Sequence, residues 1–220
     1  AGLSIKGDGT TDGTLQLNCS QNSHGVKLRS PAHSAGQSYT LTLPTGNLTA
    51  GNVLKINSIS GSGTTAIGQL EAPSELTMPN QPAFLAKLNG QQNNLDNGGN
   101  LVTIEFDYEP FDQGSDFNTS TYTFTAPVTG KYAFDVSIFL LDVDTGASYY
   151  SLRLITSNRN YENAFGPKFS SDVDRHTVQL SVLVDMDVND TAKVQILQVS
   201  GASQTDISHD NSTFSGYLAC

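Results

Sequence analysis

Apolar and polar residues alternate in short runs along this chain, and nowhere does a capping box lead into apolar residues at helical spacing. Alternation with period two puts one face of an extended strand against a core and the other in water, so the pattern predicts an all-β protein. Early in the chain the runs are Leu15-Gln16-Leu17, Val26-Lys27-Leu28-Arg29, Tyr39-Thr40-Leu41-Thr42-Leu43 and Val53-Leu54-Lys55-Ile56. Each is predicted to be a half-buried strand, and Gly7-Asp8-Gly9, Asp12-Gly13, Pro31, Pro44-Thr45-Gly46 and Gly61-Ser62-Gly63 supply the turns between them. Tyr39 is the only aromatic residue before position 73, so this small β module has a thin core. Trimerisation, or packing on a partner, is expected to supply the burial it lacks.

Residues 71–80, EAPSELTMPN, hold two prolines among polar residues and are predicted to be a linker. The expected division is therefore 1–72, a linker at 73–80, and a second domain at 81–220. Strand candidates follow at 83–88, 101–106, 121–125, 131–141, 148–156, 177–185, 191–199 and 212–219. Regularly spaced strands with turn chemistry between them make a sandwich or jelly roll. Tyr132, Phe134, Val136 and Ile138 alternate on one face of a strand whose other face takes Phe139 and Leu141. Such a strand is expected to lie between a sheet core and a subunit interface.

The formal net charge is -10, with 11 Lys and Arg against 21 Asp and Glu, so cations to neutralise phosphates are scarce and nucleic acid is not expected as a partner. No apolar run approaches the roughly 20 residues that span a bilayer, and Ala1 to Gly9 lacks the basic and apolar regions of a signal peptide. A soluble chain without membrane insertion is expected. Cys19 and Cys220 form neither a disulfide framework nor a thiolate metal site. Two free thiols are predicted, with a single long-range bridge left open.

Phe106, Asp112, Phe117, Phe124, Gly130, Tyr132 and Phe134 stand with five, four, six, five, one and one residues between them. That spacing resembles the signature of the C1q domain, departing from it at the last aromatic position, which is Val136. Ser212-Thr213-Phe214-Ser215-Gly216-Tyr217-Leu218 is similar to that family's closing strand, and Pro82-Ala83-Phe84-Leu85-Ala86 to its opening one. Gly130 is also expected to supply a backbone conformation that a Cβ would hinder. The resemblance implies a C1q/TNF-like jelly roll of ten strands that packs as a homotrimer around an apolar, aromatic axis and binds rather than catalyses. It places Phe106, Phe117, Phe124, Gly130, Tyr132, Phe134, Phe214, Gly216 and Tyr217 in the fold or trimer core. Animal members carry secretion signals and often a Gly-X-Y collagen stalk, and no such repeat precedes this head. Residues 13–28, with Ser38-Tyr39-Thr40-Leu41-Thr42-Leu43-Pro44, instead resemble a segment of bacteriophage virion structural proteins, those of marine cyanophages especially.

Three aspartate pairs stand two residues apart: Asp142 and Asp144, Asp172 and Asp174, Asp185 and Asp187. On a strand that spacing sets both carboxylates on one face, where they could gather calcium, and some C1q-like heads bind that ion. Asp142, Asp144, Asp185 and Asp187 are the calcium candidates, against the favoured reading of solvated surface carboxylates. His24, His33, His176 and His209 show no metal-ligand spacing, and Ser215 lies in Phe-Ser-Gly-Tyr rather than a nucleophile elbow. No enzyme and no cofactor is expected. Asn18, Asn47, Asn118, Asn189 and Asn211 each begin an Asn-x-Ser/Thr triplet, read as polar turns unless the chain is an animal extracellular protein.

The resemblances together imply a homotrimeric virion protein on the exterior of the particle, anchored by the first module and projecting the second. Capsid decoration or cement protein, or short fibre, is the leading reading, with other capsid or tail proteins as partners. A fibre tip that binds host surface glycans or proteins is the alternative, and a secreted C1q-like recognition module is a further one.

Overall fold

Strand-forming alternation is realised along the whole chain. The computed structural model describes residues 2–73, 78, 80–96, 99–202 and 204–220, and among them every regular element except two short 3-10 turns is a strand. No helix among the described residues is long and apolar enough to cross a membrane. The chain divides into two compact units, Ala1–Thr77 and Met78–Cys220. Of the expected linker, residues 74–77 and 79 lie outside the described residues.

In the first unit β1 (Thr14–Asn18) and β2 (Gly25–Arg29) form an antiparallel hairpin. A three-stranded sheet follows, in which β5 (Ala66–Glu71) lies between β3 (Tyr39–Thr42), parallel to it, and β4 (Lys55–Ser60), antiparallel. Two expectations need correction here. The run at 53–56 becomes a strand only from Lys55, and β5, with Gly68 at its centre, was not foreseen. The half-burial expected of these strands is also missing: Leu17 is 60% exposed, Val26 70% and Ile59 66%. Every buried hydrophobic residue among those described lies between Phe84 and Phe214.

The second unit runs β6 (Ala83–Lys87), β7 (Gln92–Asp96), β8 (Val102–Thr103), β9 (Tyr108–Gln113), β10 (Phe117–Asn118), β11 (Thr123–Thr125), β12 (Gly130–Val143), β13 (Tyr149–Thr156), β14 (Asn160–Phe165), β15 (Val173–Met186), β16 (Thr191–Val199), β17 (Gln204–Ile207) and β18 (Thr213–Leu218). They form a two-sheet jelly roll. One sheet has the order β7-β17-β12-β18-β6-β9 with β15 also paired to β12; the other has β10-β11-β16-β13-β14 with β8 on β16. The expected strands are present, although 101–106 shrinks to β8. Those not foreseen are β7, β9, β10, β14 and β17, which are short or polar or lie at sheet edges. β9 carries Pro110, which an edge strand tolerates because it need not donate on its open side.

Between the sheets lies an aromatic cluster. Phe84 of β6 stacks on Phe117 and Phe124 of the opposite sheet, each at 5.0 Å between centroids and 14° between planes, and meets Phe214 edge-on at 5.0 Å. Each such side chain stabilises the fold by about 1.5–3 kcal/mol through burial, and each aromatic pair adds about 0.5–1.5 kcal/mol. Asp112 sets the turn that returns Phe117 to this cluster, its carboxylate accepting the Asp116 and Phe117 amides at 3.2 and 2.9 Å. Tyr132 is fully buried and its hydroxyl donates to the Val128 carbonyl at 2.8 Å.

Two glycines are required by close approach. A Cβ on Gly216 would lie 2.6 Å from Phe134 Cδ1 and 2.8 Å from Phe84 Cε1, inside the aromatic cluster. One on Gly130 would meet Leu218 Cδ1 at 2.6 Å and the Cys220 carbonyl oxygen at 2.8 Å. Gly130 is not among the positive-φ glycines, so contact with the closing strand, and not an unusual turn conformation, is what excludes a side chain there. Gly216→Ala is expected to cost about 1–3 kcal/mol by overpacking, read as a lower urea midpoint at unchanged m-value.

Candidate functional site

Pairing register decides what the large sheet shows to solvent. Along β12 the side chains of Tyr132, Phe134, Val136, Ile138 and Leu140 turn into the core, so Ala133, Asp135, Ser137, Phe139 and Leu141 turn outward. Across the strands Ala83, Tyr217, Ala133 and Leu183 stand in one row. Phe111, Leu85, Ser215, Asp135 and Ser181 stand in the next. Neighbours in such rows are about 4.5–5.5 Å apart at Cβ and act as one surface. Tyr217 (55% exposed), Leu183 (59%) and Phe111 (52%), with half-buried Leu85, therefore make an apolar patch on the outside of a sandwich whose interior is already filled.

Charged and polar groups border the patch. Lys131 pairs with Asp185 on its border, and Lys87 lies one row beyond Asp135. The Asp135 carboxylate accepts the Ser181 hydroxyl. Ser137 accepts the Gln179 amide at 3.5 Å, and Ser215 donates to the Asp135 carbonyl at 3.5 Å. Lys131 and Asp185 are paired at the border and the Asp135 carboxylate is hydrogen-bonded, while each large apolar side chain that is covered contributes about 1.5–3 kcal/mol.

The residues assigned from sequence to the fold or trimer core divide differently. Phe106, Phe117, Phe124, Tyr132, Phe134 and Phe214 are at most 5% exposed, and Gly216 is buried among their rings. These belong to the interior of a single chain and cannot also line an axis between chains. Gly130 sits at the start of β12 against the last residues, and Tyr217 alone of the set is an exposed outward side chain. Leu183, Phe111 and Leu85 were missed. Their signal was the second apolar face, since Leu183 stands between Val182 and Val184 and Leu85 between Phe84 and Ala86.

The aspartate pairs have differing surroundings. Asp142 has φ of 48° near the end of β12, and Asp144 follows that strand. Asp144 fastens two loops, accepting the Gly146 amide at 2.6 Å and the Ala202 amide at 2.5 Å. Asp172 accepts the Thr145 hydroxyl and amide at 2.6 and 2.9 Å, which hold its pKa below the usual carboxylate value. Asp174 lies on β15, Asp185 is paired with Lys131, and Asp187 lies beyond the end of β15 with Thr129 Oγ1 at 3.5 Å. Among the described residues no three His, Cys, Asp or Glu side chains come together as a metal site.

The histidines are dispersed. His176 packs on Phe165 at 4.4 Å, His209 faces Asp210 at 3.2 Å, His33 lies in a 3-10 turn, and His24 Nδ1 is 2.7 Å from Ser23 Oγ. Of the Asn-x-Ser/Thr sites, Asn118 closes a turn by accepting the Ser120 and Thr121 amides, and Asn189 has φ of 73°. Cys19 and Cys220 are both free and exposed. Ser23 Oγ, 3.4 Å from Cys19 Sγ, and the nearby backbone amides favour the thiolate and bring the Cys19 pKa down to about 6. Alkylation of Cys19 by iodoacetamide, followed by peptide mass spectrometry, is accordingly expected to reach half its maximal rate near pH 6. Ser23→Ala should move that midpoint upward; an unchanged midpoint would remove the hydroxyl as the cause.

The second unit is thus a two-sheet jelly roll with a filled interior and an exposed apolar patch on its outer face. Residues 83–219 match the family model of the C1q domain, and the chain belongs to that family. The globular domain of zebrafish complement 1qA protein is similar over 63% of this chain and 98% of its own, at 22% identity and a TM-score of 0.46. Murine APRIL covers the same shares at 8% identity and 0.46, and the TNF Eiger from S. frugiperda covers 64% and 92% at 14% and 0.44. No curated protein sequence matches the chain.

Proposed function

We propose that the chain is a homotrimeric recognition and structural protein on the exterior of a bacteriophage particle. In this reading three jelly rolls associate through the outer face of the large sheet, the first unit fastens the trimer to capsid or tail proteins, and the loops of the heads face outward. The observation that carries it is the apolar patch of Tyr217, Leu183 and Phe111 on a sandwich that needs none of them for its own core. Members of the C1q/TNF family form homotrimers and bind receptors or ligands, which fits a face of this kind. The resemblance of residues 13–28 and 38–44 to virion structural proteins supports the particle as the setting. The mechanism is burial and presentation, and no cofactor enters it.

Light scattering on the purified chain is expected to give the mass of three chains. Leu183→Asp combined with Tyr217→Asp puts two charges per chain into the patch and should reduce that mass to a single jelly roll's association state, with the circular dichroism of the sandwich unchanged. A wild-type monomer would overturn the trimer. Added to capsids stripped of accessory proteins, the trimer should rebind the shell. Failure to rebind, with binding to host cells, would replace decoration by a fibre tip.

A further inference from the structure

The first unit contains two sheets that are each apolar on one face, and neither face is covered. In the hairpin Leu15 is opposite Leu28 and Leu17 opposite Val26, while Gln16 and Lys27 occupy the other side. In the three-stranded sheet Leu41, Gly68 and Ile59 share a row, Tyr39 lies beside Ala66, and Ile56 beside Leu70. All of these lie on one face, because a bulge between Ile56 and Ser58 brings Ile56 back to it. Thr40, Thr42, Ser58, Ser60 and Gln69 take the opposite face, where Ile67 is the sole large apolar residue. Leu41 is 49% exposed and Ile56 51%.

A sheet of this size with its apolar face in water is not stable alone, so an occupant is required. Charge indicates which. Lys6, Lys27, Arg29 and Lys55 balance Asp8, Asp12, Glu71 and Glu75, so residues 1–77 carry no formal net charge and the whole -10 of the chain falls on residues 78–220. Copies of a neutral unit meet without net repulsion, and a strongly charged foreign partner finds no complementary field. Among the described residues the three-stranded sheet also keeps both outer edges unpaired, at β3 and β4, where strands of another copy can add. We infer that the occupant is two further copies of this chain: the apolar faces of β1–β2 and β3–β5–β4 close on their counterparts, and the first unit folds only as the trimer assembles. This rests on the proposed trimer, whose heads hold the three tethered units at an effective concentration on the order of millimolar.

Hydrogen exchange read by mass spectrometry on the purified full-length chain, with light scattering on the same sample, tests it. No other protein is present, so a foreign partner cannot be the source of any protection of the apolar strands. Peptides covering 39–71 are expected to exchange at least 100-fold more slowly than unstructured chain. Leu41→Asp with Ile59→Asp should abolish that protection while the sandwich strands keep theirs, and Thr40→Asp with Ser58→Asp, on the opposite face, should leave it in place. A three-chain mass with 39–71 unprotected in the wild type would overturn the inference and point to a particle protein as the occupant. Protection that survives Leu41→Asp with Ile59→Asp would overturn it too. A single-chain mass is a separate result: it removes the proposed trimer itself, and the inference with it.

Discussion

Phe84 is the contact on which the jelly roll depends. It belongs to the first strand of the second unit, yet its ring lies flat between Phe117 and Phe124 from the other sheet and takes the edge of Phe214 from the last strand. The cluster thus ties the two ends of the unit and both of its layers in one place. Gly216 is part of the same constraint, because the rings of Phe134 and Phe84 occupy the space a side chain would need. Dense interiors leave little freedom to shift such a set, which fixes the register of β6, β18 and β12 against one another.

Once the register is fixed, the outer surface follows. A strand residue that points inward forces its neighbours outward, so placing Phe84, Phe214, Gly216 and Phe134 inside puts Ala83, Tyr217, Ala133 and Asp135 outside. A one-residue slip of β18 would bury Tyr217 and expose Phe214. Core and contact face are therefore two readings of the same alternation, and the patch has its position because the interior has its own.

That coupling explains what could be read in the sequence and what could not. The aromatic spacing from Phe106 to Phe134 identified the family and the buried set, since period-two alternation over long strands such as β12 and β15 is a strong signal. The short strands β7, β10 and β17 and the polar edges β9 and β14 were invisible, because nothing in Gln-Asn-Asn-Leu-Asp or Asn-Tyr-Glu-Asn-Ala-Phe alternates clearly. Whether a member of the aromatic set served the fold or a trimer could not be read in the same way: composition shows that a residue wants burial, and only register shows against what. At Asp142 the backbone is left-handed within β12, so the strict alternation on which the spacing argument relied does not hold there. Asp144 was better described by the loops it fastens than by its charge.

The two units answer the same demand for burial in opposite ways. The second has aromatic residues enough to close its own core and can carry all of the chain's net negative charge, because like charges spread over a filled sandwich cost little at physiological ionic strength. The first has leucine, isoleucine and valine at strand spacing but a single aromatic side chain, Tyr39, and no charge in excess. A module without a core of its own cannot tolerate repulsion between the surfaces that must complete it, and its neutrality is the condition under which copies can supply that core. Segregating the acidity to one unit leaves the other free to be built from several chains at once.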